Sequence, residues 1–418
     1  MPPRLTARLA LLCLGVLTAA PSIAATPQTL AQAAETRDIA ALETWTPAAG
    51  KPLAHGVALA LRHRDAEAET ALIAVTRSKS TDEDKALAWS ELAALYLRQG
   101  RFRDAQNAIT SSIGLTKTPP TAATQQTLGF VTALAALPPM HLTKTASGRL
   151  PVKRDMAGLA RVDIQTGDKT QSAVVDTGAA FSTITETTAK KLGLIFLDTT
   201  ATVGSVTRDA VATRFAYAPR LRFGDAELSH VVFIVLPDSA LSFANGVYTI
   251  EAIIGLPVFL KLGRLEFHRD AAADESLSYG PVDTSPPTDH SDLLLSGVEP
   301  LVLAQAGETS TPLRLFIDTG ARDTVLYRNL TTDYPALTSK AVKKTTSLGG
   351  AGGTKTDEEA LNLPQLVLHV GGRSVSLSDL RILSKTRPDR HGAIGQDVLK
   401  QGRGYVLDFD HMAFWLTD

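Results

Sequence analysis

The chain has 418 residues, 44% of them hydrophobic, with 42 Lys+Arg against 43 Asp+Glu and a formal net charge of −1. No block of Lys or Arg stands out, so neither nucleic acid nor an anionic membrane surface is an implied partner. The length allows several ordinary cores, while the single cysteine, Cys13, excludes a disulfide framework. Residues 1–24 read as a signal peptide. Arg4 and Arg8 precede an apolar run from Leu9 to Ala20 that is too short to span a membrane, and Ser22-Ile23-Ala24 offers small residues for cleavage. Cys13 follows Leu11-Leu12 rather than small residues, which argues against a lipoprotein site. Cleavage would leave a cysteine-free mature chain without an integral membrane span, expected to be periplasmic or secreted and to fold on its core alone.

Residues 25–138 carry Ala, Leu, Gln and Glu at helical spacing with few strand formers. Trp89, Leu92, Tyr96, Gly100, Phe102 and Ala105, with the small Ala93 among them, fall in the register of a tetratricopeptide repeat, which this segment resembles. A degenerate hairpin around Val57 to Val75 and a further helix near Thr121 to Leu137 would flank it as a helical hairpin stack. The resemblance implies a protein partner at this module or a cover over a neighbouring cleft; a packing domain without a ligand is equally open. Pro138-Pro139 then marks a boundary, and the Asp/Ser/Pro-rich stretch 271–291 reads as a linker.

Asp-Thr-Gly occurs twice, at Asp176-Thr177-Gly178 and Asp318-Thr319-Gly320, each followed by Ala (Ala179, Ala321) and preceded by an apolar β-type run. One copy would be no more than a turn, since Asp and Gly favour turns on their own account. The surroundings repeat as well. Ser172-Ala-Val-Val-Asp176 aligns with Arg314-Leu-Phe-Ile-Asp318, and each follows a strand-like stretch, Ala160 to Ile164 and Pro300 to Leu303. Downstream, Ile254-Gly255 matches Ile394-Gly395, and each is followed by a final strand, Arg264 to Phe267 and Tyr405 to Phe409. Between them, Val203-Gly204 matches Leu348-Gly349-Gly350. Lys355 in the glycine-rich stretch 349–356 follows Thr354 rather than Gly, so the phosphate-loop pattern is not met.

These repeated landmarks resemble the retropepsin-like aspartic proteases over residues 155–270 and 292–418. The resemblance implies an α+β multidomain chain in which the helical stack precedes two duplicated, mostly β lobes, 139–270 and 292–418. It makes Asp176 and Asp318 the catalytic pair, and Thr177, Gly178, Ala179, Thr319, Gly320 and Ala321 their loops. Each threonine is implied to reach across to the other lobe, and Gly204, Gly349 and Gly350 become flap candidates.

The side chains lead to the same chemistry. Two carboxyls held close together in a poorly solvated cleft cannot both ionise, so they share one proton; the aspartic-protease dyad is the standard example of this. The ionised member can take a proton from water while the other hydrogen-bonds the scissile carbonyl, with no metal or cofactor. The reading is an exported aspartic endopeptidase acting on a peptide or protein substrate. Its alternative is a catalytically inactive periplasmic scaffold that works through the helical module.

Overall fold

The computed structural model describes residues 29–45, 52–203, 211–243, 246–270, 272, 274–309, 311–350 and 353–418. The signal-peptide segment and Gly204 therefore lie outside the described residues. The rest forms a helical region followed by a mostly β region with a closed barrel.

Seven helices come first: α1 (Leu30–Thr36), α2 (Ile39–Thr44), α3 (Pro52–Leu61), α4 (Asp65–Arg77), α5 (Asp82–Arg98), α6 (Phe102–Leu115) and α7 (Ala122–Leu134). Their starts are written in the sequence. Thr81 caps α5 by accepting from Asp84 N–H, and Asp82, Glu83 and Asp84 place negative charge on the first turn; Thr121 caps α7 in the same way through Thr124 N–H. α3 and α4 match the degenerate hairpin expected around Val57 to Val75. α5 and α6 form the hairpin whose Leu92, Tyr96, Phe102 and Ala105 are buried.

Two sets of six strands follow, and they pair alike. In the first, Ala160–Thr166 pairs antiparallel with Lys169–Val175, which runs parallel to Ala252–Ile254; Ser182–Thr185 lies antiparallel to Ala252–Ile254 and parallel to Ala226–Leu236, itself paired with Val211–Phe223. In the second, Glu299–Ala306, Leu313–Ile317, Gly392–Ile394, Val325–Tyr327, Arg373–Leu383 and Leu361–Val370 repeat those relations with the same orientations. The sets are joined by an antiparallel sheet in the order Gly148–Arg154, Glu275–Tyr279, Arg264–Arg269, Gly404–Asp408, Ala413–Thr417, Ser291–Ser296. Strand Glu275–Tyr279 lies within the stretch expected to be linker. Leu277 and Tyr279 alternate inward and are buried, which a five-residue strand between polar flanks does not advertise.

Alternation along the strands divides the burial. Ala173, Val175, Leu313, Leu315, Ile317 and Ile394 face the core inside the strand sets. Phe215, Val232, Leu301, Phe316 and Ala393 face the other way and form one contiguous cluster with Leu92, Leu95, Phe102 and Phe130 of the helices.

Candidate active site

Parallel pairing positions the two aspartates. Val175 sits opposite Ile254 and Ile317 opposite Ile394, so each strand ends with the next N–H aimed at its neighbour: Asp176 N–H donates to Ile254 O and Asp318 N–H to Ile394 O, both at 3.1 Å. Each loop then curls back on its own carboxylate. Gly178 N–H donates to Asp176 Oδ1 at 2.7 Å and Gly320 N–H to Asp318 Oδ1 at 3.0 Å.

The loops interlock through the threonines. Thr177 Oγ1 donates to Ile317 O (2.7 Å) and accepts from Thr319 N–H (3.2 Å); Thr319 Oγ1 donates to Val175 O (2.9 Å) and accepts from Thr177 N–H (2.9 Å). Both threonines are fully buried. Each glycine faces the opposite carboxyl: a Cβ at Gly178 would lie 2.5 Å from Asp318 Oδ1, and one at Gly320 2.6 Å from Asp176 Oδ2. No residue with a side chain fits there. The structure thus brings together eight residues singled out in the sequence: Asp176, Thr177, Gly178, Ala179, Asp318, Thr319, Gly320 and Ala321.

The model of the aspartyl protease family matches residues 160–258, a span that includes Asp176 and Gly255. Those residues are aspartyl protease-like. No curated protein matches the chain. Among solved structures, basic 7S globulin from soybean is similar at 12% identity over 66% of this chain and 95% of its own, with a TM-score of 0.39. Conglutin gamma, a unique basic 7S globulin from lupine seeds, is similar at 12% identity over 66% of this chain and 96% of its own, with a TM-score of 0.41.

Within this aspartyl protease-like site, both carboxyls are raised above the ordinary carboxylate range. Burial is the largest cause for Asp318, followed by the negative charge of Asp176, and together they push it up to about 8. Burial also raises Asp176, against the N–H groups of Gly178, Ala179 and Gly320, which favour its anion. Each carboxyl nonetheless keeps part of its surface open to solvent. A pair in this state holds one proton between its members across the neutral range, and its titration belongs to the pair.

The Ile-Gly landmarks support the loops from below. Leu256 N–H donates to Ala179 O and Gln396 N–H to Ala321 O, each at 2.9 Å, and a Cβ on Gly255 or Gly395 would meet those carbonyls at 2.6 and 2.8 Å. Ser182 Oγ accepts from Gly255 N–H and Thr324 Oγ1 from Gly395 N–H, a matched pair not singled out in the sequence. Gln396 was also missed, and its side chain donates from Nε2 to Thr319 O at 2.8 Å. Of the flap candidates, Gly349 and Gly350 lie in the hairpin Thr346–Gly350/Gly353–Asp357, a two-stranded sheet of its own in which they oppose Thr354 and Gly353. Among the described residues, no group of three or more His, Cys, Asp or Glu could hold a metal ion, and no helix is long and apolar enough to cross a membrane.

Proposed function

We propose that this chain is an exported aspartic endopeptidase in which Asp176 and Asp318, one from each of two duplicated retropepsin-like lobes, share a proton and activate water. The reading rests on the reciprocal loop lock, in which each threonine bonds the other strand set and each glycine leaves room for the opposite carboxyl. The ionised member of the pair takes a proton from water as the oxygen attacks the scissile carbonyl, and the protonated member hydrogen-bonds the developing oxyanion. Collapse of the tetrahedral adduct breaks the C–N bond, and the leaving nitrogen takes the proton. The substrate is an extended peptide lying between the strand sets beneath the hairpins 195–223 and 346–357. Residues 1–24 direct export to the periplasm or the exterior, and the tetratricopeptide-like helices offer a surface for a protein partner.

Digestion of a diverse peptide mixture across acid and neutral pH tests the activity. Asp176→Asn and Asp318→Asn should each lower kcat by about 10³-fold or more while the fold persists, as expected when a general acid–base group is lost. Turnover like wild type by either variant refutes the shared pair. Mixing the two variants should restore nothing if both lobes close within one chain; recovery would mean that the lobes pair between chains. A second reading, a catalytically silent scaffold, draws on the helices burying Phe316, two residues before Asp318 on the same strand. Absence of cleavage by pure wild-type protein at every pH, together with partner binding that survives both substitutions, would favour it.

A further inference from the structure

The two aspartate loops are matched in nearly every bond except one. Gly255 and Gly395 are equivalent, and the residue after each donates its N–H to the alanine of the aspartate loop. In the first copy that residue is Leu256, wholly buried and packed in the core of the strand sets. In the second it is Gln396, also buried, and its amide is committed at both ends: Nε2 donates to Thr319 O at 2.8 Å and Oε1 accepts from Arg154 Nη1 at 3.1 Å. The neighbours fix the orientation of this amide, because a guanidinium only donates and a carbonyl only accepts. Arg154 is itself held by Glu275, through Nε to Oε2 at 2.6 Å, and by Gly158 O at 3.1 Å.

The acceptor matters most. Thr319 C=O and Gly320 N–H belong to one peptide unit, and Gly320 N–H is the donor to Asp318 Oδ1. A donor placed on the carbonyl of a peptide polarises that unit and strengthens its N–H as a donor, so bonds in series reinforce one another in a poorly solvated interior. A chain therefore runs from the Arg154 guanidinium through the Gln396 amide and the Thr319–Gly320 peptide to the carboxylate of Asp318. Leucine at the equivalent place in the first copy has nothing to donate to Thr177.

We propose that Gln396 is a positioning residue for the carboxyl pair, relaying the positive charge of Arg154 to Asp318 and making the two aspartates chemically inequivalent. The proposal rests on the aspartic-peptidase reading for its consequence in catalysis, but the relay exists whether or not a peptide is cut. The charged or titratable groups that act on Asp318 are Asp176, Tyr327 on the neighbouring strand and, through the relay, Arg154 with its partner Glu275. Of these only Arg154 is brought to Asp318 through a hydrogen-bonded side chain that a substitution can remove.

The test replaces Gln396 with the residue of the other copy. Gln396→Leu takes the donor away while keeping a side chain that the matching position already accommodates, and Gln396→Met serves as a second shape should Leu fold poorly. The titration of the pair is read without any substrate, as the pH-dependent part of urea-unfolding stability that Asp318→Asn abolishes. Loss of a donor to the anion should move that titration to higher pH by about half to one unit. Arg154→Met should shift it in the same direction, and the double variant should shift it by no more than either single one, as members of one chain do. If peptide hydrolysis is found, both limbs of its pH profile should move up together. A titration unchanged in Gln396→Leu and Gln396→Met, or additive shifts with Arg154→Met, would overturn the relay. Hydrolysis with an unmoved pH profile would overturn it while leaving the peptidase reading intact, whereas a shifted titration without hydrolysis would do the reverse.

Discussion

At the scale of single residues, Thr177 and Thr319 each use one hydroxyl twice, as donor to a carbonyl and as acceptor from an N–H of the other loop. Removing either hydroxyl would strand a buried backbone donor and acceptor, at about 1–3 kcal/mol each. That expense holds together two like carboxyls, and the carboxyls set a pH signature. Asp318 is raised to about 8 in the folded chain, whereas an unfolded Asp titrates near about 3.9. Between those values the folded state binds a proton that the unfolded state does not, so stability is fullest in acid and falls as pH rises through this window. Asp318→Asn removes the titrating group. Relative to wild type, its stability in urea should therefore climb between about pH 4 and pH 8, by on the order of 1–3 kcal/mol given the partial exposure of the carboxyl. A difference independent of pH would mean that the pair holds no shared proton.

Among the elements, the short turns after Ile254 and Ile394 decide where the aspartate loops rest. A Cβ at Gly395 would come within 2.8 Å of Ala321 O and 3.0 Å of the Asp323 carbonyl carbon. Backbone on that side cannot swing away as a side-chain tip can, so Gly395→Ala should cost about 1–3 kcal/mol as overpacking does. It should also displace the Ala321 carbonyl that receives Gln396 N–H. Measured together, unfolding and the pH dependence of stability should both change; an unchanged midpoint would show that the loop yields freely. This necessity explains why the site was legible in the sequence. Asp-Thr-Gly and Ile-Gly repeat because backbone and carboxyl come too close for any side chain, and such constraints leave a local signature. The helical hairpins were legible too, from the spacing of Leu92, Tyr96, Phe102 and Ala105. Other features leave no local trace. Arg154 reaches Gln396 across 242 positions of chain. α1 and α2, of 7 and 6 residues, are too short to show a period, and strand Glu275–Tyr279 is hidden by the polar residues on either side of it.

In the molecule as a whole, the helices are not insulated from the strands. Phe130 of α7 lies 4.6 Å from Phe181 and 5.4 Å from Phe215, centroid to centroid, and Phe102 of α6 lies 6.3 Å from Phe181. Phe181 follows the Asp176 loop by a few residues, so the helical face is anchored close to the carboxyl pair. On the second strand set the contacts are polar: Arg37 Nε donates to Ser296 Oγ at 3.1 Å, Arg62 pairs with Asp292 at 2.5 Å, and the buried Arg98, itself paired with Asp65, donates to Gly297 O. One buried cluster runs through both regions, and a cluster shared in this way couples their unfolding. Calorimetry should accordingly show a single transition in which helix and strand signals are lost together, not an early melting of residues 29–134. Phe130→Ala deletes the ring that touches two strand-set aromatics and should lower that one transition, at a cost of about 3–5 kcal/mol for a large buried side chain. Two separate transitions, with only the first moved by Phe130→Ala, would instead make the helices an independent domain resting on the strands. In the coupled case, any partner that pulls on the helical face also bears on Phe181 and, through it, on the loop that carries Asp176.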